Sequence, residues 1–319
     1  MREPPSIPVT VVTGFLGAGK TTLLNAWLAE HARDDVAVIV NEHGAIGIDG
    51  ELLAGRAGSI VEIDGGCVCC ATQAELARAL AELAHRATPP KRIFVETSGA
   101  ASPAGVLRAI LRGAARDALR LDGIVTIVDA ARTHVIAAHD LAAEQVGYAD
   151  VLVLSRADEL DDERLDAARA ELAARNGTAI VASASRGALR DPGALSLDAL
   201  LARRGGDFRI LAHPPAGTAD HGRIESVALA HAGELDEDRF GAWVEAELAR
   251  VEGRLMRMKG ILAIAGIDER MILQGVADHA EVTFGAPWGT DARTSRLVLV
   301  GFGLDRAELE AGFRACGRG

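Results

Sequence analysis

The stretch Ile7-Pro8-Val9-Thr10-Val11-Val12-Thr13 runs directly into Gly14-Phe15-Leu16-Gly17-Ala18-Gly19-Lys20-Thr21. The first segment is apolar and β-branched, which predicts a short buried strand. The second matches G-x-x-x-x-G-K-[ST] at every position. Its glycines allow a tight turn that aims successive backbone N–H groups inward as an anion nest. The residues from Lys20 through about Ala29 predict a helix, whose N-terminal dipole adds to the same site. Strand, glycine-rich loop and helix in that order are the context that makes the motif a nucleotide phosphate loop rather than a chance turn. Lys20 is expected to reach the β/γ-phosphates and the Thr21 hydroxyl to hold Mg²⁺, with Gly14, Gly17, Ala18, Gly19 and Thr22 completing the cradle.

Outward from this loop, short apolar runs recur at Val36–Val40, Ser59–Ile63, Ile93–Val95, Gly123–Val128, Val151–Leu154 and Thr178–Ala182. Ala-rich amphipathic helical stretches separate them, one beginning right after Cys70. Strands alternating with helices predict an α/β domain, a mostly parallel sheet flanked by helices on both faces. Ligands of such sheets sit at the carboxyl ends of the strands. The phosphate loop, Asn41-Glu42, Glu96 and Asp158 all fall at such ends. The composition changes near Arg203, where Gly, Pro and polar residues read as a linker. Beyond it, strand-like segments at Ile224–Leu229, Gly260–Ala265, Met271–Val276 and Arg296–Val300 alternate with helices near Asp236–Val251 and Asp305–Ala315. The expected organisation is a phosphate-loop domain over 1–205, a linker over 206–222 and a smaller α+β domain over 223–319.

The 319 residues suit two domains, and 49% hydrophobic with 25% charged residues is ordinary for a globular chain. Aromatic residues are only 3%, so the core must rest on Ala, Val, Leu and Ile. A net charge of -11 argues against nucleic-acid binding by phosphate neutralisation, although a local loop can still bind a nucleotide. No signal-peptide pattern and no apolar run approaching the roughly 18 residues of a membrane span are present, so a cytoplasmic location without membrane attachment is the expectation.

Two further segments carry chemistry. Val151–Leu154 is followed by Ser155-Arg156-Ala157-Asp158, where many guanine-binding proteins have Asn-Lys-x-Asp. Asp158 can accept from the guanine N1–H and exocyclic amine, whereas adenine presents an acceptor at N1. Ser155 is shorter than Asn, and Arg156 keeps a cation on an aliphatic stem that can lie over the base. A helix cap at the segment starting near Asp161 is the plainer alternative for Asp158. Ser183-Ala184 is a weaker candidate for a backbone contact to the base. The other segment is Cys67-Val68-Cys69-Cys70, which holds three of the four cysteines. Three thiolates at a helix N-terminus favour metal binding, and soft sulfur suits Zn²⁺ while also accepting Co²⁺, Ni²⁺ or Cu⁺. Three ligands leave a tetrahedral ion one position short, which suggests exchange, with Glu42 or water as the fourth ligand. A structural zinc completed by a distant residue and a redox pair are the alternatives. Cys316, in an amphipathic helix, reads as a small core residue.

Taken in order, TGFLGAGKTTLLN, NEHGAIGID, GGCVCC and ETSGAASPAGV resemble the CobW-like GTP-dependent metallochaperones, relatives of the hydrogenase and urease nickel-insertion GTPases. RLMRMKGILAIAG and SRLVLVGFGLDRAELEAGFRAC look like that family's C-terminal domain, so the resemblance covers nearly the whole chain. It implies a GTPase that binds and hydrolyses GTP with Mg²⁺ and allocates zinc or cobalt to a metal-requiring client protein, with homodimer formation left open; turnover is expected to be slow because the sequence offers no identifiable arginine finger. By motif match it assigns Lys20, Asp49 and Glu96 to catalysis, Thr21, Asp49 and Glu96 to Mg²⁺, Ser155, Arg156 and Asp158 to the base, and Cys67, Cys69, Cys70 and Glu42 to the transition metal. Three departures stand out: SRAD replaces NKxD, His43 stands where Phe is common, and only His213, His221 and His231 are scattered where a histidine-rich tract is frequent. The expected mechanism is a switch in which Mg·GTP orders the NEHGAIGID segment and the cysteine loop, and hydrolysis releases the metal. A metal-sensing adaptor that binds a partner without transferring metal, and a small-molecule kinase with structural cysteines, are the other classes.

Overall fold

The computed structural model describes residues 6–42, 57–64, 70–190, 196–203, 224–250, 255–277 and 279–318. The chain divides into two compact units, Met1–Ala170 with Ile180–Arg204, and Glu171–Ala179 with Gly205–Gly319.

The first unit is built on an eight-stranded sheet in the order β3-β2-β4-β1-β5-β6-β7-β8. Its strands are β1 (Ile7–Thr13), β2 (Val36–Glu42), β3 (Ser59–Asp64), β4 (Arg92–Thr97), β5 (Leu119–Asp129), β6 (Val151–Ser155), β7 (Ile180–Ser185) and β8 (Ala188–Leu189). All pairings are parallel except β7 with the short β8. The connecting helices are α1 (Lys20–Leu28), α2 (Cys70–Ala84), α3 (Pro103–Arg112), α4 (His134–Ala138), α5 (Asp140–Tyr148), α6 (Asp162–Arg175) and α7 (Leu197–Arg203). Parallel strands need crossovers, and helices supply them while covering the sheet faces, so the central strands are apolar throughout. Every residue of β6 is buried. Helix α1 turns Leu23, Leu24, Trp27 and Leu28 into the same core. Helix α3 begins where Ser102 accepts from the Ala104 N–H and Pro103 takes the first turn, a position where its missing N–H costs nothing. The expected sheet class is therefore what forms, with two boundary changes. Strand β5 starts at Leu119, ahead of the apolar run, because β1 pairs with it from Ile7 onward. Strand β7 runs from Ile180 to Ser185 rather than from Thr178, because Thr178 bonds back onto the Asn176 side chain instead of onto a strand.

The second unit contains an antiparallel five-stranded sheet in the order β12-β11-β10-β13-β9. Its strands are β9 (Ile224–Ala232), β10 (Leu255–Leu262), β11 (Glu269–Val276), β12 (His279–Pro287) and β13 (Thr294–Phe302), with helices α8 (Glu237–Arg250) and α9 (Arg306–Ala315). Asp236 and Asp305 cap these helices, accepting from the Arg239 and Glu308 N–H groups. Phe240, Leu309 and Phe313 pack with Leu229, Met258, Leu273 and Leu299 in one core. Cys316 belongs to that core, as expected, and burial pushes its thiol pKa up. Strand β10 lies earlier than the apolar run at Gly260–Ala265 suggested. Its Arg257 and Lys259 are buried, and Lys259 donates to the Thr178 carbonyl at 3.1 Å. Strand β12 coincides with none of the predicted strand segments, because its exposed residues form no apolar run.

Candidate nucleotide and metal site

The carboxyl ends of the parallel strands bring the candidate residues into one row. In sheet order these ends are Asp64 of β3, Glu42 of β2, Thr97 of β4, Thr13 before the glycine loop, Asp129 of β5, Ser155 of β6 and Ser185 of β7.

The loop after β1 needs its glycines. Gly14, Gly17 and Gly19 have φ of +142°, +75° and +95°. A Cβ on Gly14 would sit 2.2 Å from the Ile127 carbonyl oxygen, because β5 passes directly behind the loop. A Cβ on Gly17 would meet nothing within 4 Å, so this part of the loop borders open space. The loop folds over Lys20, whose Nζ donates to the Gly14 carbonyl at 3.0 Å and lies 3.5 Å from the Phe15 carbonyl. Ala18 is buried and Thr22 is exposed on the first turn of α1. From β4, the buried Glu96 accepts from the Thr21 hydroxyl at 2.9 Å. The next β4 residue, Thr97, donates to the Thr13 hydroxyl at 2.8 Å and ties the ETSG segment to the root of the loop. Gly99 then passes so close that a Cβ would lie 2.8 Å from the Leu16 backbone nitrogen. Thr21 and Glu96 form a pair of hard oxygen donors at the head of α1, a donor set that fits Mg²⁺ beside a phosphate cradle.

The segment after β6 behaves differently from its sequence reading at two positions. Ser155 is buried, and its hydroxyl lies 2.7 Å from the Ala18 carbonyl and 3.3 Å from that of Val128. It therefore braces the phosphate loop rather than facing a base. Arg156 adopts a left-handed φ of +54°, and its guanidinium pairs with Asp129 and donates to the Gly17 carbonyl at 3.1 Å. Its charge is thereby committed to the loop. Asp158 follows in an exposed turn, and Asp161, not Asp158, accepts from the Arg164 N–H at the start of α6. The Ser185 hydroxyl first, then a backbone N–H and the nearby Arg186 and Arg190, hold the Asp158 carboxyl below its ordinary pKa. Ser183 and Ala184 lie inside β7, paired with Leu154 of β6 and Leu189 of β8, so they are sheet residues and not a base-facing turn. The turn beyond the strand is Arg186-Gly187, both at positive φ, with Gly187 pressed against Thr22 and Ala26 of α1.

Sequence reasoning passed over three contributors. Asp129 ends β5 and receives Arg156, and the strand-end rule that drew attention to Glu96 applies to it equally. Gln145 is buried in α5 and donates to the carbonyls of Gly99 and Ala101, holding the ETSG segment. The Phe15 ring stacks on His139, with centroids 5.0 Å apart. No spacing pattern in the sequence marks either of these last two contacts.

At the other end of the row the backbone register sets Glu42 beside Asp64, the last residues of β2 and β3. Cys67 and Cys69 follow β3 in the sequence, and Cys70 is the first residue of α2. Cys67, Cys69, Asp49, His43, His213 and His221 lie outside the described residues, while His231 belongs to β9 in the second unit. Three strand spacings separate β1 from β3, about 14 Å. Among the described residues, no helix is long and apolar enough to cross a membrane.

Residues 8–182 match the CobW/HypB/UreG nucleotide-binding domain, and residues 224–317 match the cobalamin synthesis protein cobW C-terminal domain. The zinc chaperone CobW of Pseudomonas aeruginosa is 36% identical, covering 97% of this chain and 91% of its own length. The zinc chaperone YjiA of Escherichia coli is 30% identical, covering 96% of this chain and 98% of its own length. The crystal structure of Zn(II)-bound YjiA GTPase from E. coli shares the fold, with a TM-score of 0.73 over 99% of this chain and 100% of that one at 23% identity. The chain therefore belongs to the CobW/HypB/UreG nucleotide-binding family and carries a cobW-type C-terminal domain.

Proposed function

We propose that this protein binds and hydrolyses GTP and uses that cycle to hold a transition metal ion, zinc in the first instance and cobalt as the alternative cargo, and to pass it to a metal-requiring client. One observation carries the reading. The phosphate loop with Thr21 and Glu96, the base loop with Asp158, and the Glu42–Asp64 step into the cysteine loop are strand ends of a single sheet. The relatives named as zinc chaperones support zinc as the cargo.

Hydrolysis places a water on the γ-phosphorus and breaks its bond to the β,γ-bridging oxygen, leaving GDP and inorganic phosphate. Charge builds on the phosphate oxygens as this bond loosens. Lys20 rests on the carbonyls of Gly14 and Phe15, within the loop that would surround those oxygens, and it supplies the matching cation. Thr21 and Glu96, with Asp49 from the NEHGAIGID segment, would hold Mg²⁺, which neutralises phosphate charge when bound. Asp158 selects guanine by accepting from N1–H and the exocyclic amine, and its lowered pKa extends the range of the accepting carboxylate to more acidic pH. Ser155 and Arg156 act through the loop: they fix Ala18 and Gly17 and so set where the cradle stands.

Cys67, Cys69 and Cys70 take the metal as soft thiolate ligands, and Glu42 completes the set. The reducing cytoplasm keeps such thiols unpaired. Movement of the segment between β2 and β3 on exchange of GTP for GDP then changes the ligand set. Coupling of this kind is reciprocal, so a nucleotide that tightens metal binding is itself tightened by metal to the same factor. The test is competition against a chromogenic chelator for Zn²⁺ and Co²⁺, with GDP and with a non-hydrolysable GTP analogue bound. Tighter metal binding in the GTP-analogue state, lost in Cys67→Ala, is the expected result. Equal affinities in the two states, together with no loss on Cys67→Ala, refute the proposal.

A further inference from the structure

We propose that Gln145 is a positioning residue for GTP hydrolysis: from helix α5 its side-chain amide fixes the turn after β4, and through that turn the Glu96–Thr21 pair that would hold Mg²⁺. The assignment rests on the GTPase reading given above and adds to it a residue outside the ligand set. The turn spans Ser98 to Ala101 and is closed by the Ala101 N–H, which donates to the Ser98 carbonyl at 3.0 Å. Just upstream, Glu96 and Thr97 are bonded to Thr21 and Thr13 on either side of the phosphate loop. In its middle, Gly99 is pressed against the backbone of Leu16 in that loop. Ser98-Gly99-Ala100-Ala101 carries only small side chains, and these offer few contacts to hold one backbone position.

Helix α5 supplies the hold. Gln145 is 1% exposed, and its Nε2 donates to the Gly99 carbonyl at 3.3 Å and to the Ala101 carbonyl at 3.1 Å. Both neighbours are carbonyl oxygens, so only the amide nitrogen can face them, and this fixes which way the amide points. Next to it in α5, Glu144 accepts from the Ser102 hydroxyl, a third bond just beyond the turn. The Gln145 main-chain carbonyl accepts from the Thr126 hydroxyl at 2.7 Å, which ties the helix to β5, the strand behind the phosphate loop.

The other end of the amide separates a positioning role from a stabilising one. The Gln145 Oε1 is buried and has no hydrogen-bond partner among the described residues. An unpaired buried acceptor costs about as much as two ordinary hydrogen bonds return, so the amide adds little net stability. Its effect is directional: two carbonyls two residues apart are drawn to one nitrogen, which leaves the turn one place to stand. Ala100 is exposed and Ser98 half-buried, so without the amide the turn can shift towards water and give its carbonyls new partners there. Hydrolysis is sensitive to such a shift, because a misplacement of about 1 Å can cost roughly 100-fold in rate even when its origin lies away from the reacting atoms.

The test is steady-state GTP hydrolysis by the full chain, with kcat expressed per nucleotide site counted by titration with fluorescent GDP. Binding of a fluorescent non-hydrolysable GTP analogue, with and without Mg²⁺, is measured alongside. Gln145→Met keeps the volume and removes both bonds. Gln145→Asn keeps the amide but draws it back by one methylene. Each should lower kcat about tenfold or more while KM stays within roughly threefold. Each should also shrink the tightening of analogue binding that Mg²⁺ produces in wild type. Thr126→Val removes a buried hydrogen bond to the same residue without touching its amide, and should leave kcat within about twofold. Counting per site removes any fraction that fails to fold, so a merely structural role leaves both readouts at wild-type values. Wild-type kcat and Mg²⁺ response in either Gln145 variant overturn the assignment and leave the GTPase reading standing. An equal loss in Thr126→Val overturns it too, since the effect then belongs to the seating of α5 and not to the amide. A wild type that turns over no GTP removes the GTPase reading and the assignment together.

Discussion

Replacing Gly14 and Gly17 separately by Ala isolates the packing of the phosphate loop from its backbone conformation. Both glycines have positive φ, so both substitutions strain the backbone. At Gly17 the new methyl group enters open space, and strain alone predicts a loss of about 1–2 kcal/mol. At Gly14 the same methyl group would stand 2.2 Å from the Ile127 carbonyl oxygen and 3.1 Å from the Ile127 nitrogen and carbonyl carbon. Ile127 cannot yield cheaply, because β5 is paired with β1 on one side and β6 on the other. Strain of about 1–3 kcal/mol and overpacking of about 1–3 kcal/mol together predict a loss of about 2–6 kcal/mol. That is a large share of the roughly 5–15 kcal/mol that stabilises a typical domain. Trp27, buried in α1, reports unfolding of this unit once Trp243 and Trp288 are changed to Phe. Urea titrations of that background with and without each substitution give the two losses. Equal losses at the two glycines, or a loss below about 1 kcal/mol at Gly14, would show that the loop does not lean on β5 as described.

Asp158→Asn should exchange guanine for xanthine preference, since the amide can donate to the xanthine 2-oxo group; competition between GTP and xanthosine triphosphate reads this out, and an unchanged preference for GTP removes Asp158 from base selection. Because the Asp158 pKa is lowered, the carboxylate persists as pH falls below neutrality, and GTP-over-ATP selectivity should be level across mildly acidic pH until the lowered pKa is reached. Glu144 has its pKa raised by burial, partly offset by the Ser102 hydrogen bond, so its contribution to stability is greatest below its unfolded pKa and fades as pH rises through the folded one. Glu144→Gln should therefore raise Tm at neutral pH, with the gain shrinking as pH falls into the carboxylate range; an identical Tm difference at both pH values contradicts the assignment. Cys316→Ser places a hydroxyl in the core and should cost about 1–3 kcal/mol while leaving zinc stoichiometry unchanged, as measured by urea unfolding and metal analysis.

The first unit was readable in order because its central strands are buried on both faces, so each appears as an apolar run closed by a polar residue with chemical capacity. Glu96 stands at such a closure, and Asp158 lies in the turn just beyond one. Asp129 closes β5 in the same way and was passed over only because no motif includes it. The second unit was less readable for a related reason. Strand β10 hides Arg257 and Lys259, whose burial depends on partners distant in sequence, and β12 is exposed, so neither shows the periodicity expected of its place.

The order of residues alone determined the phosphate loop, the parallel α/β class and the grouping of three thiols, because these depend on local turn chemistry and on apolar periodicity within a few residues. Tertiary structure decided what Ser155 and Arg156 do. Their partners are the carbonyls of Ala18 and Gly17 and the carboxylate of Asp129, brought to them by sheet order and not by sequence spacing. It also decided that Glu42 and Asp64 are register partners at the ends of β2 and β3, because parallel pairing couples strand ends that are separated along the chain. Hydrogen bonds of this range become favourable only after the core has set the strands side by side, which is why no local pattern announces them.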